Sequence, residues 1–446
     1  MIPARLMEGP DASLEEILLS RERRAQAQQA LLEKGGTVVS FTMNIPGRRK
    51  QFPLGHLGFE EGLRALEAQF APSILERQVH GGPTGDEALL RLDLPAGKVK
   101  TAAAALEESH PLGRLWDMDV LGGEGPALSR TALGFPQRRC LLCGAAAKEC
   151  GRSRRHSHEE LFARAAELLY DFFRRREAER AGRCALRAVL TEVSVTPKPG
   201  LVDRRDSGSH TDMDFFTFVD SSAALAPWFS RFFLAGWDHE THLFDLLRSL
   251  GRQAEEEMFA ATGGVNTHKG LIFSLSILCG ALGRAGVAHF PEKPPMEEVL
   301  KTVRCLGARS LEDFAGEEDT TAGLRCYRRH GISGIRGQAA AGFPAVFEVG
   351  LPALRESLAG GCSLNDAAAA ALLALMAAVE DTNMVRRGGF AEAQRRREEA
   401  KALLAQQGDL EEALSALNGD YIRRRLSPGG CADLLALTLF VYFWDR

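Results

Sequence analysis

After Ser157 the chain stops offering strands. Before that point, β-like runs at Thr37–Met43, Ala88–Leu94 and Leu115–Val120 alternate with helical stretches at Ser13–Glu33 and Ala102–Glu108. Beyond it, Ala/Leu-rich sequence with helical periodicity dominates. One such change of period implies two folds in series, an α+β unit followed by a mainly-α unit. The 446 residues exceed what a single core organises. The expected boundary lies between residues 175 and 176. Ser157-His-Glu-Glu160 has the capping-box pattern and opens an amphipathic helix through Leu161, Ala165, Leu168 and Phe172, to about Val189. Ser13-Leu-Glu-Glu16 and Ser363-x-x-Asp366 are expected to start helices in the same way.

With a formal net charge of −4 and a pI near 6.3, a general nucleic-acid or membrane-surface binder is not expected. The apolar runs Ala367–Val379 and Leu434–Trp444 are shorter than the roughly 18–20 residues of a membrane span and read as buried helices. Met1–Arg24 is too charged for a signal peptide. Nine cysteines lack the regular spacing of a disulfide scaffold, which fits a reducing cytoplasm.

The chemistry concentrates in a few segments. In "TPKPGLVDRRDSGSHTDMD" two prolines present Lys198 on a stiffened loop that runs past Gly200 into a patch of acids. A helix starting near Ser209 would put His210 and Asp214 one turn apart, with Asp203, Asp206 and Asp212 as further oxygen ligands for Mg²⁺. The alternative is a turn whose acids favour a helix N-terminus. In "GGVNTHKG", Gly264 and its neighbours permit close backbone approach, while His268 and Lys269 supply phosphate contacts at a helix start. A plain glycine-rich helix entry explains the same residues. "VEDTNMVRRGG" places Glu380, Asp381, Asn383 and Arg387 where an apolar helix ends, and "YRRHGISGIRGQAAAGFP" offers Arg328 and Arg336.

Upstream, "EESHPLGRLWDMDVLGG" sets Asp117 and Asp119 on one face of a strand, suited to Mg²⁺ and attack at phosphorus, with His110 and Arg114 nearby in sequence. Cys140, Cys143, Cys150 and His156 form C-x2-C-x6-C-x5-H, either a zinc set or reduced partly buried cysteines. Arg138, Arg139, Arg152, Arg154 and Arg155 around them suit phosphate or an acidic partner.

Two families share these motifs. With "TMNIPG", "EESHPLGRLWDMDV", the Ser129-Arg130 pair and "RRCLLCGAAAKECGRSRRHSHEEL", residues 15–170 resemble apo-citrate lyase phosphoribosyl-dephospho-CoA transferase. With "TPKPGLVDRRDSGSHTDMD", "GGVNTHKG", "GIRGQAAAGFP" and "EDTNMVRRGG", residues 180–446 resemble triphosphoribosyl-dephospho-CoA synthase. No role is assigned to the "DTTAGLR" segment, Asp319–Arg325.

The resemblance implies a fused transferase. Its second half would join ATP to dephospho-CoA with loss of adenine, and its first would move the product onto a serine of the apo-citrate lyase acyl carrier (gamma) subunit. Lys198, Gly200, Gly264, His268, Lys269, Arg336 and Arg387 would hold nucleotide in the synthase half, and Arg114 in the transferase half. His210, Asp212 and Asp214 would hold Mg²⁺ in the synthase and Asp117 and Asp119 in the transferase, with His110 assisting. Asp203 or Asp214 would act as base. Open alternatives are the equivalent malonate decarboxylase enzyme, a helical ADP-ribose-type glycohydrolase and a non-catalytic zinc-dependent binding module.

Overall fold

The computed structural model describes residues 2–122, 129–315, 322–406 and 409–446; Gly123 of the Asp-x-Asp segment and Asp319–Thr321 of "DTTAGLR" lie outside them. Contacts divide the chain into two compact units, Met1–Arg175 and Arg176–Arg446.

The first unit is an antiparallel sheet clothed by helices. Ser13 and Glu16 bond each other's backbone N–H to open α1, Leu14–Leu32. There follow β1 (Thr37–Met43), α2 (Pro53–Phe70), β2 (Ile74–His80), β3 (Glu87–Leu92), α3 (Ala96–Ser109) and β4 (Trp116–Gly122). The strands lie in the order β2-β3-β1-β4. Sequence periodicity marks β1, β3 and β4 but misses α2 and β2. Three glycines dilute the apolar pattern of α2, and β2 is a largely exposed edge with few inward residues.

Alternation sorts the side chains. Phe41, Trp116 and Met118 are buried, and α2 packs so closely on Phe41 and Trp116 that a Cβ at Gly62 would overlap both rings. Asp117 and Asp119 point the other way, paired in register with Thr42 and Ser40 of β1. On that side Leu31 of α1 packs against Val38 and Leu89. After β4 come a short helix α4, Ala147–Arg152, and α5, His158–Ser194, opened by the Ser157–Glu160 box.

The second unit is helical: α6 (Phe215–Asp238), α7 (Leu243–Ala261), α8 (Lys269–His289), α9 (Met296–Ser310), α10 (Ala322–His330), α11 (Gly334–Ala341), α12 (Leu351–Ala359), α13 (Leu364–Ala378), α14 (Thr382–Gly388), α15 (Phe390–Leu404), α16 (Leu410–Arg424) and α17 (Gly429–Asp445). Ser363 caps α13 through Asp366 N–H. Helix α8 is long and apolar enough to cross a membrane by length and composition, yet it is the buried centre, contacting α6, α7, α9 and α17. Glycines allow this. A Cβ at Gly236 of α6 would overlap the Gly280 carbonyl of α8, so the two backbones touch. The apolar run Leu434–Trp444 is buried throughout as the body of α17.

Candidate functional site

In the second unit, four helices begin at one place. The first residues of α8 (Lys269, Gly270, Leu271), α11 (Gly334, Ile335), α14 (Thr382, Asn383) and α17 (Gly429, Gly430) all line one cavity of about 500 Å³. Each helix start turns the positive end of a dipole toward the cavity, which is lined as well by the acids Glu192, Asp212, Glu380, Asp381 and Asp433. Lys198, Lys269, Arg386 and Arg387 also line it.

Lys198 is fixed rather than mobile. Its Nζ, buried to 1% exposure, donates to Glu192 Oε1 at 2.6 Å and to the Glu192 carbonyl at 2.8 Å. Burial pushes the Glu192 carboxyl up while Lys198 pulls it down. His268, the residue before α8, accepts or donates at Nδ1 with Ser221 Oγ at 2.7 Å, and Thr267 Oγ1 donates to Ser221 Oγ at 2.7 Å. In the tautomer where the Ser221 hydroxyl donates to Nδ1, the neutral ring carries its proton on Nε2. His268 Nε2 is buried without a partner among the described residues. Burial and the Lys198 charge hold the imidazole pKa down at about 3. In that tautomer His268 is a neutral donor.

Asp433, in the second turn of α17, faces the same cavity. Burial, then the charges of Glu192 and Asp381, raise its carboxyl well above the usual range, which favours its protonated form. Sequence reading missed it, although one acid inside the apolar run "CADLLALTLF" was the available signal. Asp381 caps α14 through the N–H groups of Asn383 and Met384 and also takes Cys431 N–H, tying two of the helix starts together.

A second, more apolar cavity of about 450 Å³ adjoins the first, sharing Lys269, Gly270, Gly334, Ile335 and Thr382. Phe244, Phe273 and Phe314 line it with Arg248, Arg252 and Arg336.

In the first unit, Asp117 and Asp119 do share a face, as the strand period requires. Between them Met118 turns its backbone to the free edge of the sheet, where no strand follows. Two buried side chains of α3 take that edge: Glu107 Oε1 accepts Met118 N–H at 3.0 Å and Lys100 Nζ donates to Met118 O at 2.7 Å. Glu107 also holds Arg138, whose other arm reaches Asp117 at 3.1 Å. Partial desolvation, then the Asp117 charge, raises the Asp119 carboxyl, while Lys100, Arg138 and Arg24 of α1 act against this. Arg24 and Lys100 belong to this site although no sequence motif marks them.

The family described as apo-citrate lyase phosphoribosyl-dephospho-CoA transferase matches residues 12–172, and that described as ATP:dephospho-CoA triphosphoribosyl transferase matches residues 178–446. Protein CitXG of Haemophilus influenzae is 36% identical, the alignment covering 97% of this chain and 96% of the relative. The chain belongs to the CitXG family. CitXG of Leuconostoc mesenteroides is 34% identical over 97% of each chain. A Vibrio cholerae protein called probable 2-(5''-triphosphoribosyl)-3'-dephosphocoenzyme-A synthase is 42% identical over 58% of this chain and 87% of its own. As a CitXG protein the chain is a transferase.

Within this CitXG chain the expected site residues separate. Lys198, His210, Asp212, His268, Lys269 and Arg387 line the first cavity. Arg387 donates to the carbonyls of Ser209 and Arg425 and its other nitrogen lies 3.3 Å from His210, while His210 Nε2 lies 3.0 Å from Ser427 Oγ. Burial and Arg387 lower the His210 pKa. Lys269 also pairs with Glu255 at 2.8 Å.

Five residues stand elsewhere. Helix α6 starts at Phe215, not near Ser209, so Asp214 is its N-cap, bonded to Thr217 N–H at 2.9 Å, and is not one turn from His210. Asp203 spends its carboxylate on the backbone N–H groups of Lys198, Arg205 and Asp206. Gly200, at φ 68°, gives its N–H to Asn418. Gly264 gives its N–H to Phe259 O and closes α7 as a Schellman stop instead of cradling phosphate. Arg336 lines the second cavity and pairs with Asp313 at 3.1 Å.

In the first unit, His110 is the C-cap of α3 and stacks on Trp116 at 4.2 Å, on the sheet face opposite the aspartates. Burial lowers its pKa. Arg114 is taken up by the Arg139 carbonyl. Among the described residues, the one group of three or more converging metal-binding side chains is Cys140, Cys143, Cys150 and His156.

Proposed function

We propose that the second unit joins ATP to dephospho-CoA, forming triphosphoribosyl-dephospho-CoA and free adenine, and that the first moves this group onto a serine of the apo-citrate lyase acyl carrier (gamma) subunit, releasing pyrophosphate. The observation that carries the reading is the convergence of four helix starts with Lys198, Arg386 and Arg387 on one cavity. The triphosphate survives the first reaction, so it must be held rather than cleaved. Two adjoining cavities suit two adenine nucleotides bound together.

In the first reaction a ribose hydroxyl of dephospho-CoA forms a C–O bond at the anomeric carbon of ATP's ribose as the C–N bond to adenine breaks. One proton passes from that hydroxyl to adenine. Protonated Asp433 gives its proton to the leaving base and regains one from the hydroxyl. His268 Nε2–H donates to a ligand acceptor beside it. Asp203 and Asp214, already bonded to backbone, are not assigned this work.

Mg²⁺ fits both units in the form that ion prefers, one or two carboxylates completed by substrate phosphates and water. Asp212 supplies that in the second unit and Asp117 with Asp119 in the first. When bound, it offsets phosphate charge. In the second reaction the carrier serine Oγ forms a bond to the α-phosphorus, the bond to the β-phosphate breaks to release pyrophosphate, and the hydroxyl proton passes to water. A cytoplasmic location accords with the substrates proposed here.

The test follows adenine and the mass of the CoA species with ATP, Mg²⁺ and dephospho-CoA, then mass of the carrier. Adenine that appears only with dephospho-CoA, and a carrier left unmodified by Asp117→Asn or Asp119→Asn while adenine is still released, are the expected results. Adenine release without dephospho-CoA would instead indicate a glycohydrolase. Offering citrate lyase and malonate decarboxylase carriers side by side settles the acceptor.

A further inference from the structure

The hairpin after β4 carries a feature that neither proposed reaction uses. An antiparallel bridge joins Arg139 to Ala146, Cys140 N–H bonds the Ala145 carbonyl at 2.7 Å, and Gly144 turns the chain at φ 69°. This tight knuckle brings Cys140 and Cys143 to one side, and its Leu142 N–H points at Cys140 Sγ from 3.5 Å. Helix α4 adds Cys150, and the segment leading to α5 adds His156. One ligand atom from each of the four lies within 4.8 Å of the others.

The separations discriminate between uses. A disulfide needs its sulfurs about 2.05 Å apart. A tetrahedral ion about 2.3 Å from each sulfur sets neighbouring sulfurs about 3.8 Å apart. Here Cys140 and Cys150 are separated by 3.5 Å and Cys143 and Cys150 by 3.9 Å. His156 Nε2 is buried without a hydrogen-bond partner, which is costly for an imidazole that serves packing alone.

We propose that Cys140, Cys143, Cys150 and His156 bind one structural Zn²⁺. Three thiolates and one imidazole are a closed soft set that selects zinc and leaves no position open for substrate. The ion fixes the knuckle from which Arg138 reaches Glu107 and Asp117 and from which the Arg139 carbonyl receives Arg114. Zinc therefore positions the arginine beside the Asp-x-Asp pair without touching substrate.

Metal analysis of the full-length chain, purified in metal-free buffer, tests this independently of either reaction. About one zinc per chain is expected for the native protein. Cys150→Ser and His156→Ala should lose it, while His156→Cys, which restores a four-ligand set, should keep it. Cobalt exchanged into the native chain should give thiolate-to-metal absorption and tetrahedral d–d bands. Circular dichroism and limited proteolysis of the first unit, Met1–Arg175, serve as the control that each variant has folded. Zinc content unchanged in Cys150→Ser, a native chain free of zinc that refuses cobalt, or a Cys140–Cys150 disulfide in the reduced-buffer preparation would each overturn the proposal.

Discussion

Arg138 holds Asp117 at 3.1 Å with one guanidinium nitrogen while the other grips Glu107 at 2.5 Å. One acid of the Asp-x-Asp pair is therefore oriented by a residue twenty-one positions later, and Glu107 bonds the strand between the two acids as well.

Replacing Arg138 with Ala should lower carrier modification by about 10–100-fold, the usual cost of losing an outer-shell partner. Adenine release should not change. Glu107→Ala should be worse, because it leaves Met118 N–H unpaired and removes one of the two acids that hold Arg138, destabilising the first unit by about 1–3 kcal/mol. Thermal unfolding beside the carrier assay separates the two effects; Arg138→Ala with normal carrier modification would remove Arg138 from the site.

Asp433→Asn tests the second unit with little change of shape. Adenine release should fall by about 10²–10⁴-fold. Stability should move the other way. A carboxyl raised in the folded state favours folding below its unfolded pKa and loses that contribution as pH rises toward its folded pKa. The variant should thus melt above the parent at neutral pH, with the difference vanishing below about pH 4. Equal melting at every pH would contradict the buried carboxyl.

His268 has the opposite dependence. Its pKa of about 3 means the folded chain favours neutral imidazole, so its contribution is present above the unfolded pKa of about 6.5 and lost as pH falls toward 3. Melting of His268→Gln relative to the parent should therefore improve as the solution is acidified through that range. A fixed difference would mean that His268 is not held neutral.

The Lys198–Glu192 pair is suited to a double-mutant cycle. Lys198→Met alone leaves Glu192 buried and unpaired and should cost about 3–5 kcal/mol. Adding Glu192→Gln should restore much of the stability but none of the adenine release. Recovery of activity in the double variant would show that the pair serves folding only.

Much of this was legible because the relevant rules are local. Ser13, Ser157 and Ser363 announce their helices through bonds to residues three positions on, and Asp117 and Asp119 share a face because strands have period two. The second site was readable only as a set of motifs. Lys198, His268 and Arg387 meet because helices far apart in sequence start together, and periodicity says nothing about where helix ends converge. Local reading also favoured conspicuous acids. Asp203 and Asp214 are conspicuous because loops and caps use acids, whereas Glu192 and Asp433 are single acids in apolar helices whose environment exists only after folding.

The way Lys100 and Glu107 occupy Met118 has a further effect. An exposed edge strand is a template on which another chain can add itself, with aggregation as the usual hazard. Here the donor and acceptor at the middle of that edge are already engaged by ammonium and carboxylate. Strand addition at β4 is blocked where it would begin, and the middle of that edge is closed to a fifth strand.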